Sequence, residues 1–413
     1  MEAFFERKRR REEAGPGHAE PKRTSTVALG RLNEDLRKAT GSSERAACDD
    51  EDGYYVATVD ETMAERYVVT DTACGKGVFS SVVKASDTDL NAIIAAGGAG
   101  PLAVAIKVVR STAGVREAAA REVEILRRLQ AASGEGKRYI VQMLGTFVHK
   151  NHLCIVFECM WDDCREALAK LTKGRGMTIS AVRTYAAQLL LGLGHLEKCE
   201  ILHADIKPDN ILLSSDLKVS KLCDLGTAAS VSEFEVSPYI MSRAYRAPEI
   251  IIGCKPAISA DMFAMGCTLF ELFTGKVLMS GQSNHDQLRK IMELRGKIPS
   301  AVLKGGAFWT RHFDDSMGFK PDDEATLNDS SAEALAQKNN APQVDKGQIF
   351  PKRSIKELVM ARVGPERSKS STPDDRKYVE RGTRFAELLE SMLSMDPSGR
   401  PKAKHALAYE FFT

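Results

Sequence analysis

Polar residues that could catalyse a group transfer are concentrated in the segment ILHADIKPDNILL, residues 201–213. Asp205 can accept or orient the proton of a hydroxyl group, and Lys207 can neutralise negative charge on a phosphoryl group in transfer. Asn210 offers an amide oxygen, and the carboxylate of Asp224 follows fourteen residues later, so both could bind Mg²⁺. Each residue alone could instead cap a loop. Their order and spacing together favour phosphoryl transfer from a nucleotide.

A loop that contains two glycines, Gly75–Val82 with the sequence GKGVFSSV, lies between two runs of strand-forming residues. Glycine lets backbone N–H groups come close to a phosphate, so this loop could cover the phosphates of the same nucleotide. A plain hairpin turn is the favoured explanation when the loop is considered without the other motifs.

A single lysine, Lys107, lies inside the apolar run LAVAIKVVR. Because a buried ammonium group without a partner is costly, the sequence predicts a nearby carboxylate. Glu122 is the best candidate, since it follows on the predicted helix, whereas Glu117 and Glu124 compete from other faces of that helix. A lysine that reaches solvent at the end of a strand is the alternative.

The elements that must position these residues divide the chain into a strand-rich part and a helix-rich part. From Tyr54 to Glu158 we expect strands, among them LAVAIKVVR, IVQMLGTFVH and HLCIVFE, and one helix, VREAAAREVEILRRLQ. The apolar side of that helix carries Val115, Val123, Leu126 and Leu129. After Glu158, the segments ISAVRTYAAQLLLGLGHLEKC and ADMFAMGCTLFELFTG are apolar enough to be buried helices.

Three further segments are predicted to be loops or insertions. Residues 86–101 are rich in Gly and Ala, and residues 321–348 are rich in Asp, Asn, Ser, Ala and Gln. The segment GPERSKSSTPDD, residues 364–375, is expected to be a loop before the last long helix, RFAELLESMLSMD.

The composition is that of an ordinary globular protein. The chain has 413 residues, of which 43% are hydrophobic and 28% charged, and its net charge of +2 does not imply attraction of the whole chain to nucleic acid or membrane. Nine scattered cysteines without a C-x-x-C pair argue against a disulfide framework or a zinc site. Without a signal-peptide core or an apolar run long enough to span a membrane, we expect a soluble intracellular protein.

Residues 1–52 are expected to form a disordered charged tail. EDLRKA could form a transient helical turn within it. The basic run Arg7–Arg11 is either a solvated run of charge or a nuclear-localisation patch.

The chain resembles a eukaryotic protein kinase over roughly residues 54–413. The resemblance rests on the glycine loop, VAIK ending at Lys107, HADIKPDN, DLG at Asp224 and APE at Ala247–Glu249. The segment SPYIMSRAYRAPE is similar to the CMGC branch, which contains the cyclin-dependent, mitogen-activated, Clk-type and Dyrk-type kinases. The segment LMSGQSNHDQLRKIMELRGKIPSAVLKGGAFWTRHFD resembles the extra helical insert of that branch. Within it, HADIKPDNILL, KLCDLGTAA and APEIIIG are most similar to the pre-mRNA-splicing kinase family, a relative of the Dyrk type.

The resemblance implies an α+β, bilobal protein kinase fold. A β-rich N-lobe would span residues 53–157, and an α-helical C-lobe would span residues 158–413 with a CMGC-type insert at approximately 277–380. ATP and Mg²⁺ are the implied cofactors, with Asn210 and Asp224 as metal ligands. Catalytic roles are implied for Asp205, Lys207, Lys107 and Glu122. The implied ATP-binding residues are Gly75, Lys76, Gly77, Val78, Val82, Ala105, Lys107, Phe157, Glu158, Met160, Asn210, Leu212 and Asp224.

Within that set, Phe157 would be the gatekeeper, and Glu158 and Met160 would offer backbone hydrogen bonds to adenine. Cys223 precedes Asp224, so its thiol is expected to face the ATP site, where it is a candidate for covalent inhibitors. A small buried hydrophobic residue is the alternative for this cysteine.

The resemblance also implies structural and regulatory residues. Glu249 and Arg400 would form a buried ion pair that ties the activation segment to the large lobe, and Asp261 would anchor the backbone of the catalytic loop. Ala204 stands where most relatives have an arginine that contacts a phosphorylated residue, so its presence removes a regulatory contact and leaves the catalytic groups intact. The set of activation-segment residues comprises Tyr239, Arg243 and Arg246.

Tyr239 is the expected site of tyrosine autophosphorylation, with Arg243 and Arg246 as partners for its phosphate. A packed, unmodified tyrosine is the alternative, and Ser237 is a weaker candidate for phosphorylation. Arg246 also implies a preference for serine or threonine before proline.

The expected function is that of a serine/threonine kinase, dual-specific through tyrosine autophosphorylation, that acts on splicing factors or Arg-Ser-rich proteins in the nucleus. The cytoplasm is left open as a second compartment. We expect a monomer whose kinase domain contacts neither nucleic acid nor membrane directly. A nucleotide-binding, pseudokinase-like scaffold in a nuclear complex and a CMGC signalling kinase outside splicing are the alternatives.

Overall fold

The computed structural model describes residues 48–72, 74–89, 102–321, 353–370 and 372–413. They form a small lobe built on one antiparallel sheet and a larger lobe that is mostly helical. The α+β bilobal fold implied by the sequence is thereby confirmed. The segment EDLRKA, the basic run Arg7–Arg11 and most of the predicted insertions at 86–101 and 321–348 lie outside the described residues.

Six strands form the sheet of the small lobe, in the order β1-β2-β3-β4-β6-β5. They are β1 Thr62–Met63, β2 Tyr67–Asp71, β3 Ser80–Asp87, β4 Leu102–Val109, β5 Met143–His149 and β6 His152–Glu158. Side chains alternate across β6, so Cys154 and Val156 pack in one hydrophobic cluster while Leu153 and Ile155 pack in another. The second cluster includes the apolar side of helix α1, Ala113–Ala131.

The large lobe is organised around two long buried helices, as the sequence predicted. Its helices are α2 Cys164–Thr172, α3 Ile179–Lys198, α4 Pro248–Ile251, α5 Ser259–Thr274, α6 Asn284–Arg295, α7 Ser300–Lys304, α8 Ile355–Val363, α9 Pro365–Lys369, α10 Pro373–Met392 and α11 Ala403–Ala406. Every residue of α5 after Ser259 is buried, and α3 packs against it. These two helices support the polar loops of the site.

Five short strands carry those loops. They are β7 Asp162–Asp163, β8 Ile201–Leu202, β9 Ile211–Leu213, β10 Ser220–Leu222 and β11 Ala229–Ser230. β9 pairs with both β10 and β7, and β8 pairs with β11. The polar segment between β8 and β9 and the aspartate after β10 therefore lie close together.

The segment GPERSKSSTPDD is not the loop that the sequence predicted. It contains α9 and the first residues of α10, so α10 begins at Pro373 and not at Arg384. Pro365 and Pro373 both lie in the first turn of a helix, where a missing N–H costs nothing. The Thr372 side chain caps α10 by accepting the N–H of Asp375.

Residues 48–52 pack on the small lobe, which corrects the expectation of a disordered tail that extends to residue 52. Asp49 forms a bridge with Tyr55 and is bound to His152 at 2.8 Å. The earlier part of the expected tail, residues 1–47, lies outside the described residues.

All nine cysteines are free thiols. Among the described helices, none is long and apolar enough to cross a membrane.

Candidate active site

The loop between β8 and β9 is held from below by an aspartate on α5. The Asp261 carboxylate accepts the backbone N–H of His203 at 2.7 Å and that of Ala204 at 3.0 Å. Asp261 is fully buried, and these two donors offset part of the loss of water. Ala204 is held with φ at 63°, a conformation that is uncommon for residues other than glycine. The anchoring role that the resemblance implied for Asp261 matches these contacts.

The Asp205 carboxylate is oriented by three donors. Lys207 Nζ donates to its Oδ2 at 2.7 Å, and the Asn210 amide nitrogen donates to the same oxygen at 2.9 Å. Ser242 Oγ donates to Oδ1 at 2.6 Å and also accepts from Lys207 Nζ at 3.1 Å. These bonds fix the direction of the carboxylate, which is what a group that must meet an incoming hydroxyl requires.

Ser242 is a site residue that the sequence analysis missed. It comes from the activation segment and links that segment directly to Asp205 and Lys207. A single serine in a loop is too common a feature to be singled out. Its contact depends on how the segment folds back across the catalytic loop.

Lys107 joins two carboxylates from different lobes. Its Nζ lies 2.9 Å from Glu122 on α1 and 2.8 Å from Asp224 after β10. The expected pairing with Glu122 is present. Burial opposes the lysine charge, but the two carboxylates outweigh it and raise the Lys107 pKa. Burial likewise opposes ionisation of Asp224, and Lys107 outweighs it and lowers the Asp224 pKa.

The two residues expected to bind a cation, Asn210 and Asp224, lie on backbone segments that are hydrogen-bonded to each other next to Asp224. The Asn210 amide nitrogen is engaged by Asp205, at 2.8 Å from its carbonyl oxygen and 2.9 Å from Oδ2, so Asn210 Oδ1 is the atom that would meet a cation. Cys223 N–H donates to the Asn210 backbone carbonyl at 3.0 Å, which ties the catalytic loop to the residue before Asp224. Carboxylate and amide oxygens are ligands that suit Mg²⁺.

The glycine loop forms the hairpin between β2 and β3. Gly77 N–H donates to Ser80 O at 2.9 Å, and Val82 N–H donates to Gly75 O at 2.9 Å. Val78, at the tip, is 70% exposed. The loop therefore has two backbone hydrogen bonds of its own, while the side chain at its tip faces solvent.

Strand pairing places several of the expected ATP-binding residues on neighbouring strands. Val82 on β3 is opposite Lys107 on β4, and Ala105 on β4 is opposite the expected gatekeeper Phe157 on β6. In the large lobe, Leu212 lies on β9, between β10 and β7. The glycine loop, the strand that carries Lys107 and the strand that carries Phe157 therefore belong to one continuous sheet.

Glu158 is the last residue of β6, and Met160 lies in the segment after it that connects the lobes. The Glu158 carboxylate accepts from Lys221 Nζ on β10 at 2.6 Å and from the N–H of Gln142 at 2.8 Å. Glu158 N–H donates to Gln142 O at 3.0 Å. Lys221 could not be predicted as a partner of Glu158, because nothing in the sequence places β10 beside this connection.

The thiol of Cys223 lies in the same region, but it is not activated. Burial raises its pKa well above the ordinary value, and the neighbouring Asp224 raises it further. The thiolate that an electrophile needs is therefore scarce at neutral pH.

The activation segment places its two predicted arginines on backbone carbonyls. Arg246 is buried and donates to the carbonyls of Tyr239, Ile240 and Met241, and its guanidinium also bonds to the Asn284 side chain. Arg243 donates to the carbonyls of Gly281 and Gln282. The Tyr239 side chain is 43% exposed. A phosphate on Tyr239 would have to compete for either guanidinium.

The predicted ion pair between Glu249 and Arg400 is present and buried. Arg400 Nη2 lies 2.8 Å from Glu249 Oε2, and Nη1 bonds to Oε1. Arg400 also donates to Ser394 O and Ser259 O, both at 2.9 Å. This pair joins the end of the activation segment to the last part of the chain.

A model of the protein kinase domain family matches residues 68–412. The serine/threonine-protein kinase prp4 of Schizosaccharomyces pombe is 36% identical over 365 residues, which cover 88% of this chain and 70% of the relative. The serine/threonine-protein kinase prpf4B of Dictyostelium discoideum is 34% identical over 365 residues, covering 88% of this chain and 41% of the relative. The dual specificity tyrosine-phosphorylation-regulated kinase 3 of Rattus norvegicus is 36% identical over 266 residues, 64% of this chain and 43% of the relative.

Proposed function

Since the chain belongs to the protein kinase domain family, we propose that it transfers the γ-phosphoryl group of ATP to protein hydroxyl groups at the Asp205 site. It is an ATP-dependent serine/threonine protein kinase, by the family model and by the names of its relatives. One observation supports the assignment of the site most strongly. Lys107 contacts both Glu122 and Asp224, and Lys207 contacts Asp205. The residues proposed to bind the nucleotide and those proposed to act on the substrate hydroxyl are therefore each in contact with their expected partners.

Each residue then has a distinct task. Asp205 orients the substrate hydroxyl and accepts its proton, and Lys207 lies beside it to offset charge on the phosphoryl group. Lys107 binds ATP phosphates, and Glu122 holds Lys107 in place. Asn210 and Asp224 would hold Mg²⁺ through oxygen atoms, and the bound ion would supply charge neutralisation at the phosphates.

Tyr239 is the proposed site of autophosphorylation. Its side chain is 43% exposed, so it is accessible to a kinase. A phosphate adds about −1.5 to −2 charges and forms strong bonds to guanidinium groups. Arg243 and Arg246 are the proposed partners, and they would exchange backbone carbonyls for the phosphate. Because Ala204 supplies no guanidinium, activation does not depend on an arginine at that position.

The proposed substrates are splicing factors or Arg-Ser-rich proteins, and the proposed compartment is the nucleus. The resemblance to the pre-mRNA-splicing kinases and the two relatives prp4 and prpf4B support this choice. The chain spans 70% of the first of these relatives and 41% of the second, so substrates of the whole proteins need their own test.

Peptides can test the substrate proposal directly. An Arg-Ser-rich peptide with Ser-Pro sites is compared with one in which each proline is alanine and one in which each arginine is glutamine. We expect the highest kcat/KM for the first peptide. Equal rates on all three would refute the proposed preference while leaving the kinase assignment intact, and no transfer to any peptide would favour the scaffold alternative.

A further inference from the structure

The residues just before the kinase domain contact the glycine loop. The family model begins its match at residue 68, whereas Cys48–Tyr55, which we call the clasp, lies upstream of it. The clasp is fixed to the small lobe at one end and touches the glycine loop at the other.

A buried aspartate fixes the first end of the clasp. The Asp49 side chain is 2% exposed, and its Oδ1 lies 2.8 Å from Nε2 of His152, which is fully buried. Ser111 Oγ donates to the other carboxylate oxygen at 3.1 Å. Val56 N–H donates to Cys48 O at 2.9 Å. Because both oxygens of a buried carboxylate are bound, this end of the clasp is held firmly.

A tight turn then directs the chain towards the glycine loop. Gly53 has φ at 79°, which a residue with a Cβ adopts only with strain, and its N–H donates to Asp50 O at 3.0 Å. Asp50 Oδ1 accepts the N–H of Tyr54 at 2.9 Å. Asp50 Oδ2 pairs with Lys76, inside the glycine loop, at 2.9 Å.

Tyr54 makes the contact with the tip of the loop. Its hydroxyl lies 2.7 Å from Gly77 O and 3.0 Å from Val78 O, so one O–H donor is shared by two consecutive carbonyls. Its ring has Lys76 Nζ at 4.0 Å and the Arg110 guanidinium carbon at 4.7 Å from its centroid. Arg110 in turn donates to Val78 O at 3.0 Å and to Asp52 O.

The tip of the glycine loop is otherwise poorly packed. Val78 and Phe79 are 70% and 55% exposed, so their side chains contribute little to holding the loop in place. When a loop becomes ordered only on ligand binding, its loss of conformational entropy weakens the affinity of the protein for the ligand. Contacts that order the loop beforehand should therefore strengthen nucleotide binding.

We propose that Tyr54 is a positioning residue for the ATP-binding loop, and that the clasp acts through it to set the affinity for ATP. This inference rests on the proposed function, because it concerns the same nucleotide site. The Tyr54 side chain bonds to the glycine loop and contacts Arg110, and neither of these performs the phosphoryl transfer. The effect of Tyr54 should therefore appear in nucleotide binding and not in the transfer step.

The test compares Tyr54→Phe with wild type in the full chain. It measures KM for ATP, kcat, the melting temperature and the Kd for Mg-ATP by calorimetry. We expect KM and Kd to rise by about threefold to tenfold, as for loss of one hydrogen bond, with kcat and melting temperature unchanged. Tyr378→Phe is the matched control, because Tyr378 also lies beneath an arginine, with Arg367 at 4.2 Å, and it is on α10. Tyr378→Phe should change neither the KM for ATP nor the Kd for Mg-ATP.

Asp50→Asn provides a second variant, since it removes the charge that holds Lys76. We expect KM and Kd to rise in the same direction by a smaller factor. Unchanged KM and Kd in Tyr54→Phe would overturn the proposal, as would a lower melting temperature with unchanged nucleotide binding. If wild type transferred no phosphate, the proposed function would fail, and the calorimetric Kd values would still decide the role of Tyr54.

Discussion

The buried ion pair between Glu249 and Arg400 allows a quantitative test of how the activation segment is tied to the large lobe. The two side chains are 4% and 0% exposed, so removal of either one leaves the other charge buried. Glu249→Gln preserves the shape of the side chain but removes its charge. Arg400→Met removes the charge and also the donors to Ser394 O and Ser259 O.

The expected losses in free energy of unfolding follow from these contacts. Breaking a buried pair from one side costs about 3–5 kcal/mol. Glu249→Gln should lower the free energy of unfolding by about 3 kcal/mol, because the amide oxygen can still accept a hydrogen bond from Arg400. Arg400→Met should lower the free energy of unfolding by about 5 kcal/mol, because two backbone carbonyls lose the arginine as a donor as well. In the double variant neither charge is left uncompensated, so its loss should fall short of the sum by about 2 kcal/mol.

Urea unfolding followed by circular dichroism measures all four members of this cycle. The partly exposed pair Glu380 and Arg384, one helical turn apart on α10, is the control and should show coupling of at most about 0.5 kcal/mol. If the losses for Glu249→Gln and Arg400→Met added to within about 0.5 kcal/mol, the two residues would be energetically independent and the reasoning would be refuted.

Three further predictions concern the site itself. Ser242→Ala removes a hydrogen-bond donor to Asp205, so it should lower kcat by about tenfold and leave KM for ATP unchanged. Initial-rate measurements test this, and a raised KM with unchanged kcat would contradict it. Burial raises the pKa of Asp261 from 3.8 to about 6. The contribution of this group to the free energy of unfolding is therefore present below about pH 4 and is lost as the pH rises through 6. The ionised form that accepts both loop N–H groups dominates above pH 6, so kcat should fall below that pH, and the pH–rate profile of Asp261→Asn should lack this limb. Cys223 should react with iodoacetamide at pH 7.5 much more slowly in the folded than in the urea-unfolded chain, as followed by mass spectrometry; equal rates would contradict its raised pKa.

The sequence predicted the contacts that a strand, a helix and a short loop define locally. Lys107 needed a carboxylate because its strand is apolar, and Glu122 is one helix away in sequence, so the ion pair between them could be predicted. The buried helices α3 and α5 were visible from their length and apolar content. The polar loop around Asp205 was recognisable because its residues are adjacent in sequence.

Contacts between segments that are distant along the chain could not be predicted from the sequence. Ser242 reaches Asp205, and Lys221 reaches Glu158, only because loops from different elements converge. The start of α10 was misassigned because a proline-containing, polar segment was interpreted as a loop, although proline is well suited to the first turn of a helix.

The boundary of the predicted tail was wrong for a similar reason. An acidic run such as that at residues 49–52 normally indicates solvated chain. Here Asp49 is buried against His152, a residue about a hundred positions further along the chain, and such a partner leaves no local trace in the sequence.

Phosphate transfer by Asp205→Asn tests the central claim most directly. Transfer from Mg-ATP to the Arg-Ser-rich peptide is measured for wild type, for Asp205→Asn and for Asp216→Asn, which makes the same change in the turn between β9 and β10. Calorimetry measures Mg-ATP binding, and mass spectrometry maps Tyr239 in the same samples. We predict that wild type and Asp216→Asn transfer phosphate and carry modified Tyr239, while Asp205→Asn binds Mg-ATP but loses transfer by at least about a hundredfold. Undiminished transfer by Asp205→Asn would contradict the account.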